Sequence, residues 1–298
     1  MSISLGSSAR NHQSEVQLGD QHFIIRREGT DGDFALLKQR LIELDANPQV
    51  CAIGLGGTDL FLNAAGRTYH IREMKPLVRL VENKALVDGS GLKGIVEADT
   101  IRYLCDAGLR FAGKRALVTS AVDRWGLAMA LNEAGADTDY GDLYYILGIR
   151  AILSNERMLT RAVRLLGPIA VRLPFSWLYP SAADHKSQTV RHQWTDKLYH
   201  NYDIVAGDYK YVAKYMPPDL DDVWVITNTT TPKDVDFLRS RGVSKLVTTT
   251  PRLDGRSLGT NAMEALLVAA AGKKAALAPE HYLQLLAEYN LHPSIQDL

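Results

Sequence analysis

The chain has 298 residues, room for one large domain or two, with the 46% hydrophobic and 23% charged content of a globular protein. Its 34 basic residues balance 34 acidic ones, and no long single-sign run appears, which excludes the electrostatic footprint of a nucleic-acid binder. No apolar run is long enough to span a bilayer, and the opening MSISLGSSARNHQSE lacks the basic-then-apolar layout of a secretory leader. Cys51 and Cys105 sit in apolar surroundings, which predicts buried, reduced thiols and a cytoplasmic setting.

Taken in chain order, the first third reads as strand-rich. SISLGSS is a short strand ending in a Gly-Ser turn, and SEVQLGDQHFIIRREG is a hairpin broken at Gly19-Asp20. DFALLKQRLIELDA has helical spacing with Asp33 as N-cap. QVCAIGLGG is a buried strand, and DLFLNAAGRTYHIRE is a hairpin around Ala65-Gly66. PLVRLVEN reads as helix, KALVDGSGL as strand then turn, and GIVEADTIRYLCDAG as a helix closed by Gly108.

From Gly113 onward strands and helices alternate. The strand runs are RALVTS, DTDYGD, IAVRLP, YDIVAGD, VWVITNT and KLVTTT. Glycines at 135, 167, 242 and 272 stand where helix C-caps belong. Such alternation predicts a parallel sheet covered on both faces. The fold class is therefore α/β, a Rossmann-like doubly wound parallel sheet preceded by a smaller α+β or α/β domain. The expected division is 1–110 for a substrate-type domain, 111–274 for the Rossmann-like domain, and 275–298 for a helix, PEHYLQLLAEYN, packing back on the first domain. The boundary, Gly108 to Gly113, is expected to be exposed.

Open α/β sheets bind ligands at the carboxyl ends of their strands, near the switch in strand order. The first such end is Thr119-Ser120-Ala121-Val122-Asp123-Arg124-Trp125-Gly126, whose only glycine is its last residue. Asp142 follows about twenty residues on, where a Rossmann fold sets the acid for ribose hydroxyls. Ser120, Asp123, Gly126, Asp142, Asn228, Thr229 and Thr249 are accordingly the candidate cofactor residues, for NAD or NADP. The competing reading is a plain βαβ unit, with the threonines serving as helix caps. In the first domain, Ser7, Ser8 and Asp88 are candidate substrate ligands. Lys93, after the Gly-Ser-Gly turn, and Asp208, at a strand end, form the candidate catalytic pair, with burial lowering the lysine pKa. Gly259-Thr260-Asn261 opens a helix and is a further anion seat. The aromatic stretch after Pro174, with His185, His192 and His200, brings no carboxylate or thiol to complete a standard metal set, and no metal is expected.

SLGSS, GLGG, VDGSGLK, SAVDRWG, RLPFSWLYP, AGDYKYVAKYMP, NTTT, TTTP and GRSLGTNAMEA together resemble a bacterial family labelled quinate 5-dehydrogenase, over nearly the whole chain. The resemblance implies an NAD(P)-linked oxidation of a cyclic polyhydroxy acid. Shikimate and quinate dehydrogenases share the order of substrate domain then Rossmann domain. Their substrate-binding serine motif is loosely echoed by Ser4, Ser7 and Ser8. Their catalytic-lysine motif finds its nearest likeness at Lys233, in the other domain, and TSAVDRWG replaces their glycine-rich loop. The leading expectation is thus an NAD(P)-dependent oxidoreductase of a small hydroxy acid. Two alternatives stand beside it: a non-redox enzyme holding a phosphorylated or nucleotide ligand in the interdomain cleft, and a non-catalytic ligand-binding or assembly protein. The expected partner is a small molecule, without nucleic acid or membrane, and a homo-oligomer is compatible with all three.

Overall fold

A computed structural model describes residues 1–172, 193–253 and 255–298. The chain begins with β1 (Ser2–Ser4), β2 (His12–Leu18), β3 (Gln21–Gly29), α1 (Phe34–Ala46) and β4 (Ala52–Gly56). The hairpin β5 (Phe61–Ala64) and β6 (Arg67–His70), α2 (Lys75–Val78) and β7 (Ala85–Val87) follow. The first sheet runs in the order β2-β3-β1-β4-β7, parallel except for β2. The expected cap of α1 is present: the Asp33 carboxylate accepts from the amides of Ala35 and Leu36.

Helix α3 (Ser90–Asp106) carries the chain to the second sheet. There follow β8 (Arg115–Val118), α4 (Trp125–Glu133), β9 (Asp137–Tyr140), α5 (Asp142–Tyr145), α6 (Glu156–Ala170) and α7 (Gln193–Tyr199). Next are β10 (Ile204–Gly207), α8 (Tyr209–Lys214), β11 (Val223–Thr227), α9 (Pro232–Ser240) and β12 (Val243–Thr248). A two-residue hairpin, β13 (Arg252–Leu253) and β14 (Arg256–Ser257), precedes α10 (Thr260–Ala270), α11 (Pro279–Glu288) and β15 (Ser294–Asp297). The second sheet has the order β15-β12-β11-β10-β8-β9, with β15 alone antiparallel. Continuous apolar runs such as Ala116-Leu117-Val118 and Ile204-Val205-Ala206 are fully buried because helices cover both faces. The fold is the expected α/β class with parallel sheets.

Three sequence expectations change. The run IAVRLP is not a strand where it is described: α6 continues through Pro168 to Ala170, and Gly167, expected as a C-cap, lies inside the helix. Leu159, Val163 and Gly167 recur at helical spacing as its buried stripe, and Gly167 lets the helix approach the Tyr69 ring. Ile169, the first apolar residue of that run, faces outward. The sixth strand of the second sheet is instead β15. Finally, Cys51 and Cys105 are free but exposed rather than buried, since each sits at the margin of its element.

Helices α10 and α11 return to the first sheet. Met263, Leu267, Tyr282 and Leu286 share a core with Leu18, Ile25, Ala52 and Val87. The approach is close: a Cβ built on Gly54 of β4 would stand 2.5 Å from the Asn261 carbonyl oxygen of α10. The segment between α3 and β8 is exposed at Gly108 and Gly113, with Phe111 buried between them.

Candidate functional site

The carboxyl ends of the two sheets meet. Arg10, just after β1, pairs with Asp234 in the first turn of α9 at 3.0 Å. Lys93, in the first turn of α3 rather than in the preceding turn, pairs with Asp59 at 3.2 Å and with Asp123 at 2.8 Å. In the second sheet, β9 lies on one side of β8 and β10 on the other, so the strand order switches there. Asp123 follows β8 and Asp208 follows β10, which puts both at the switch.

Arg124 joins the two. Its buried guanidinium lies 2.9 Å from Asp208, 3.2 Å from Glu97 of α3 and 3.2 Å from Asp123. Asp208 also accepts from the Asn228 side-chain amide at 2.8 Å and caps α8 through the Lys210 amide. The expected pair, Lys93 and Asp208, therefore belongs to one array, linked through Asp123 and Arg124.

The protonation states follow from charge packing. Burial opposes the Lys93 ammonium, but Asp123 and Asp59 outweigh it and hold its pKa above the ordinary value. The lowered pKa expected from the sequence is thus reversed, because two carboxylates surround the amine. Burial likewise opposes the Asp123 carboxylate, yet Lys93 and Arg124 hold it well below the usual carboxylate range. Glu97 is pushed up, chiefly by burial.

The β8–α4 turn tests the dinucleotide expectation. Thr119, Ser120 and Ala121 are fully buried, and the Ser120 hydroxyl accepts from the Asp208 amide at 3.2 Å. The two Asp142 oxygens accept from the amides of Ala121 at 3.0 Å and Val122 at 2.8 Å. A buried carboxylate so occupies the amides that would cradle a pyrophosphate, and Asp123 adds a second negative charge. A dinucleotide phosphate does not fit this turn as it stands. Gly126 opens a close helix–helix contact, not a helix–strand one: a Cβ there would lie 2.7 Å from the Gly94 carbonyl oxygen.

The remaining candidates divide. Asp88 is buried and spends both oxygens on its own loops, accepting from the Leu60 amide, at 2.5 Å, and from the Ser90 amide and hydroxyl. Ser7 caps a short helical turn, and the Ser8 amide donates to Asp31 at 2.7 Å. Thr229 is half-buried beside Thr230 at the end of β11. The buried Thr249 hydroxyl has no hydrogen-bond partner among the described residues. His185, His192 and the aromatics from Phe175 to Tyr179 lie outside the described residues, whereas Trp194 packs at a tilt against Tyr144 and Tyr199 donates to the Val212 carbonyl. Among the described residues no cluster of His, Cys, Asp and Glu has the makings of a metal site. Arg124, Asp59 and Glu97 escaped the sequence reading; the only signal was the adjacency of Asp123 and Arg124 in the turn.

Two buried carboxyls give the fold a pH dependence. Burial raises Asp142 to about 7, against the pull of its two amide bonds, and raises Glu264 to about 7 beside Asp88. Both values exceed the roughly 4 of an unfolded carboxyl, so the native state binds more protons and stability falls as pH rises toward 7 and just beyond. Between about pH 6 and 8 each group is expected to cost about 1 kcal/mol, a few degrees of melting temperature in a chain of this size. Thermal melts of the wild type and of an Asp142→Asn, Glu264→Gln double variant check this. An equal pH step in both proteins sinks the assignment.

Residues 91–298 match the model of a family described as a domain of unknown function, DUF8754, and residues 1–88 match a second such domain, DUF8753. No curated protein matches the sequence. Among solved structures, the dipicolinate synthase A chain from Bacillus subtilis aligns over 97% of this chain and 78% of its own, at 14% identity and a TM-score of 0.34. GanP, a glucose-galactose binding protein from Geobacillus stearothermophilus, aligns over 91% and 85%, at 10% identity and a TM-score of 0.38. A mutant glutamate dehydrogenase aligns over 67% of this chain and 44% of its own, at 15% identity and a TM-score of 0.34. The chain thus spans less than half the length of that enzyme. No helix of the described residues is long and apolar enough to cross a membrane.

Proposed function

The chain belongs to the DUF8754 family, a domain of unknown function, and from the charged array between its two sheets we propose that it is an enzyme acting on a small hydroxylated acid. The observation that carries this reading is the array of Lys93, Asp123, Arg124 and Asp208, drawn from both halves of the molecule to the switch point of the second sheet. Paired cations and carboxylates present donors and acceptors side by side, as neighbouring hydroxyls require. Lys93, kept as an ammonium, is suited to stabilise negative charge on a substrate oxygen rather than to take a proton from it. Asp123, Asp208 and Asn228 are suited to orient the hydroxyls around that oxygen.

A second reading, NAD(P)-linked oxidation of a quinate-like acid, draws on the sequence resemblance and on Asp142, which stands after β9 where a ribose-binding acid would stand. It requires Asp142 to release the two turn amides. We infer a cytoplasmic setting from the unpaired thiols of Cys51 and Cys105.

Thermal-shift and calorimetric titrations with cyclic hydroxy acids, NAD and NADP separate these readings. A ligand at about a hundred times its dissociation constant adds about 2.7 kcal/mol. Stabilisation by a hydroxy acid, abolished in Asp208→Asn, is the expected result. Stabilisation by NAD or NADP alone moves the assignment to the oxidation, and no response to any of them removes the array as an enzyme site.

A further inference from the structure

A cavity of about 320 Å³ opens beside β7, the edge strand of the first sheet. Its apolar wall is made by Leu60 and Phe61, where the chain enters the β5–β6 hairpin, and by Leu86 and Val87 of β7. Its rim carries Asn63 and Thr68 of the hairpin and Ala276 from the segment between α10 and α11, all three exposed. The volume is that of about ten water molecules, room for a single-ring organic molecule. Mostly apolar walls with a few polar groups are the usual make-up of a small-molecule site. None of Lys93, Asp123, Arg124 and Asp208 lines the cavity, so it is separate from the array.

The charge in its wall has one sign. Asp88 and Glu264 both line the cavity, and among the described residues no lysine, arginine or histidine does. Asp88 accepts from the Leu60 and Phe61 amides and from the Ser90 amide and hydroxyl, all of them bonds that an ionised carboxylate makes. The buried Glu264 stands behind Gly91. A Cβ on that glycine would lie 2.5 Å from the Glu264 Oε1, so the missing side chain is what leaves the carboxyl against the cavity. Its Oε2 accepts from the Gly89 amide and its Oε1 from the Tyr282 hydroxyl, and each oxygen keeps a further lone pair. Burial raises Glu264 to about 7, with Asp88 adding to the rise and Lys93 opposing it. At neutral pH the wall therefore carries between one and two negative charges in a low-dielectric setting.

We propose that this cavity is a second binding site, for a small organic cation: a compact apolar body, such as one ring, bearing a single ammonium group. Leu60, Leu86 and Val87 take the body, and burying it supplies most of the attraction. Asp88 and Glu264 draw the ammonium, and the Phe61 ring adds the attraction of an aromatic face for a cation. An anion of the same shape is repelled by the same two carboxyls. The hydroxylated acid proposed for the array is therefore not the occupant, and the site stands independently of that reading.

Isothermal titration calorimetry of the full chain with benzylamine, benzyl alcohol and benzoate tests the site, since the three probes share a shape and differ in charge. Benzylamine is expected to bind about tenfold or more tightly than benzyl alcohol, and benzoate to give no binding at about 50 mM. Ala276→Phe and Thr68→Trp, both at exposed rim positions and each checked for folding by circular dichroism, place a ring in the cavity. Each should weaken benzylamine about tenfold or more. Asp208→Asn should bind benzylamine as the wild type does. No benzylamine binding at about 50 mM, equal affinity for the amine and the alcohol, or unchanged affinity in both filled variants overturns the proposal. Loss of benzylamine binding in the filled variants with the hydroxy-acid response intact separates the two sites, so either reading fails on its own measurement.

Discussion

Replacing Arg124 by methionine is expected to lower the unfolding free energy by about 3–5 kcal/mol, the cost of leaving buried carboxylates without their cation. The side chain is 7% exposed and touches Glu97, Asp123 and Asp208. Without it, Lys93 is the only cation of the array, and it is already committed to Asp59 and Asp123. Lysine at position 124 restores one charge but not the planar fork that reaches three carboxylates, so Arg124→Lys should recover only part of the loss. The deficit should also depend on pH. Glu97 is the most buried of the three acids, and burial already favours its neutral form. In Arg124→Met its carboxyl rises further, so the native state gains stability from protonation and the deficit shrinks as pH falls. Urea unfolding at about pH 5 and 8, read by linear extrapolation, gives both numbers. A loss under about 1 kcal/mol at either pH would mean that the array is solvated and adds little.

The same residue shows how far the sequence could be read. Parallel strands announce themselves because both faces are buried, so Ala116-Leu117-Val118 and Ile204-Val205-Ala206 were legible as uninterrupted apolar runs. Helix ends were legible at Asp33, where a carboxylate must meet free amides. The strand read at IAVRLP failed because local apolar content does not report which face is covered; the buried stripe of α6 begins at Leu159 and carries the chain through Pro168. At the site, strand ends drew attention to Asp123, Asp142 and Asp208: Asp123 and Asp208 share Arg124, and Asp142 closes the adjoining turn. Their partners were not legible. A buried arginine and a buried glutamate look like surface residues until the helices that enclose them are placed. Asp142 shows the converse limit: its position matched a ribose ligand, yet its oxygens close the turn.

Gly126→Val is expected to cost more than any other single side-chain addition to the turn, about 2 kcal/mol or more, and to disrupt the array with it. A Cβ at this position meets the Gly94 carbonyl oxygen at 2.7 Å, the Gly94 Cα at 2.8 Å and the Glu97 Oε2 at 3.0 Å. Two of those atoms are backbone, so α4 must move away from α3. That contact is where the halves of the array join, since α3 carries Lys93 and Glu97 and the start of α4 follows Asp123 and Arg124. Glu97 also accepts from the Leu127 amide at 3.1 Å, a bond that any separation stretches. Gly126→Ala should show the same effect at smaller size. The facing glycine supplies the control. A Cβ on Gly94 meets nothing within 4 Å, so Gly94→Ala should be neutral or, because alanine favours helix, stabilising by up to about 1 kcal/mol. The two helices touch through one glycine's missing side chain and the other's backbone, so the substitutions are not equivalent although the residues face each other. Chemical denaturation of the three variants measures the asymmetry, and equal losses at 94 and 126 would show that the helices pack by some other geometry. In Gly126→Val the hydroxy-acid response should vanish too, because the array spans the contact between α3 and α4.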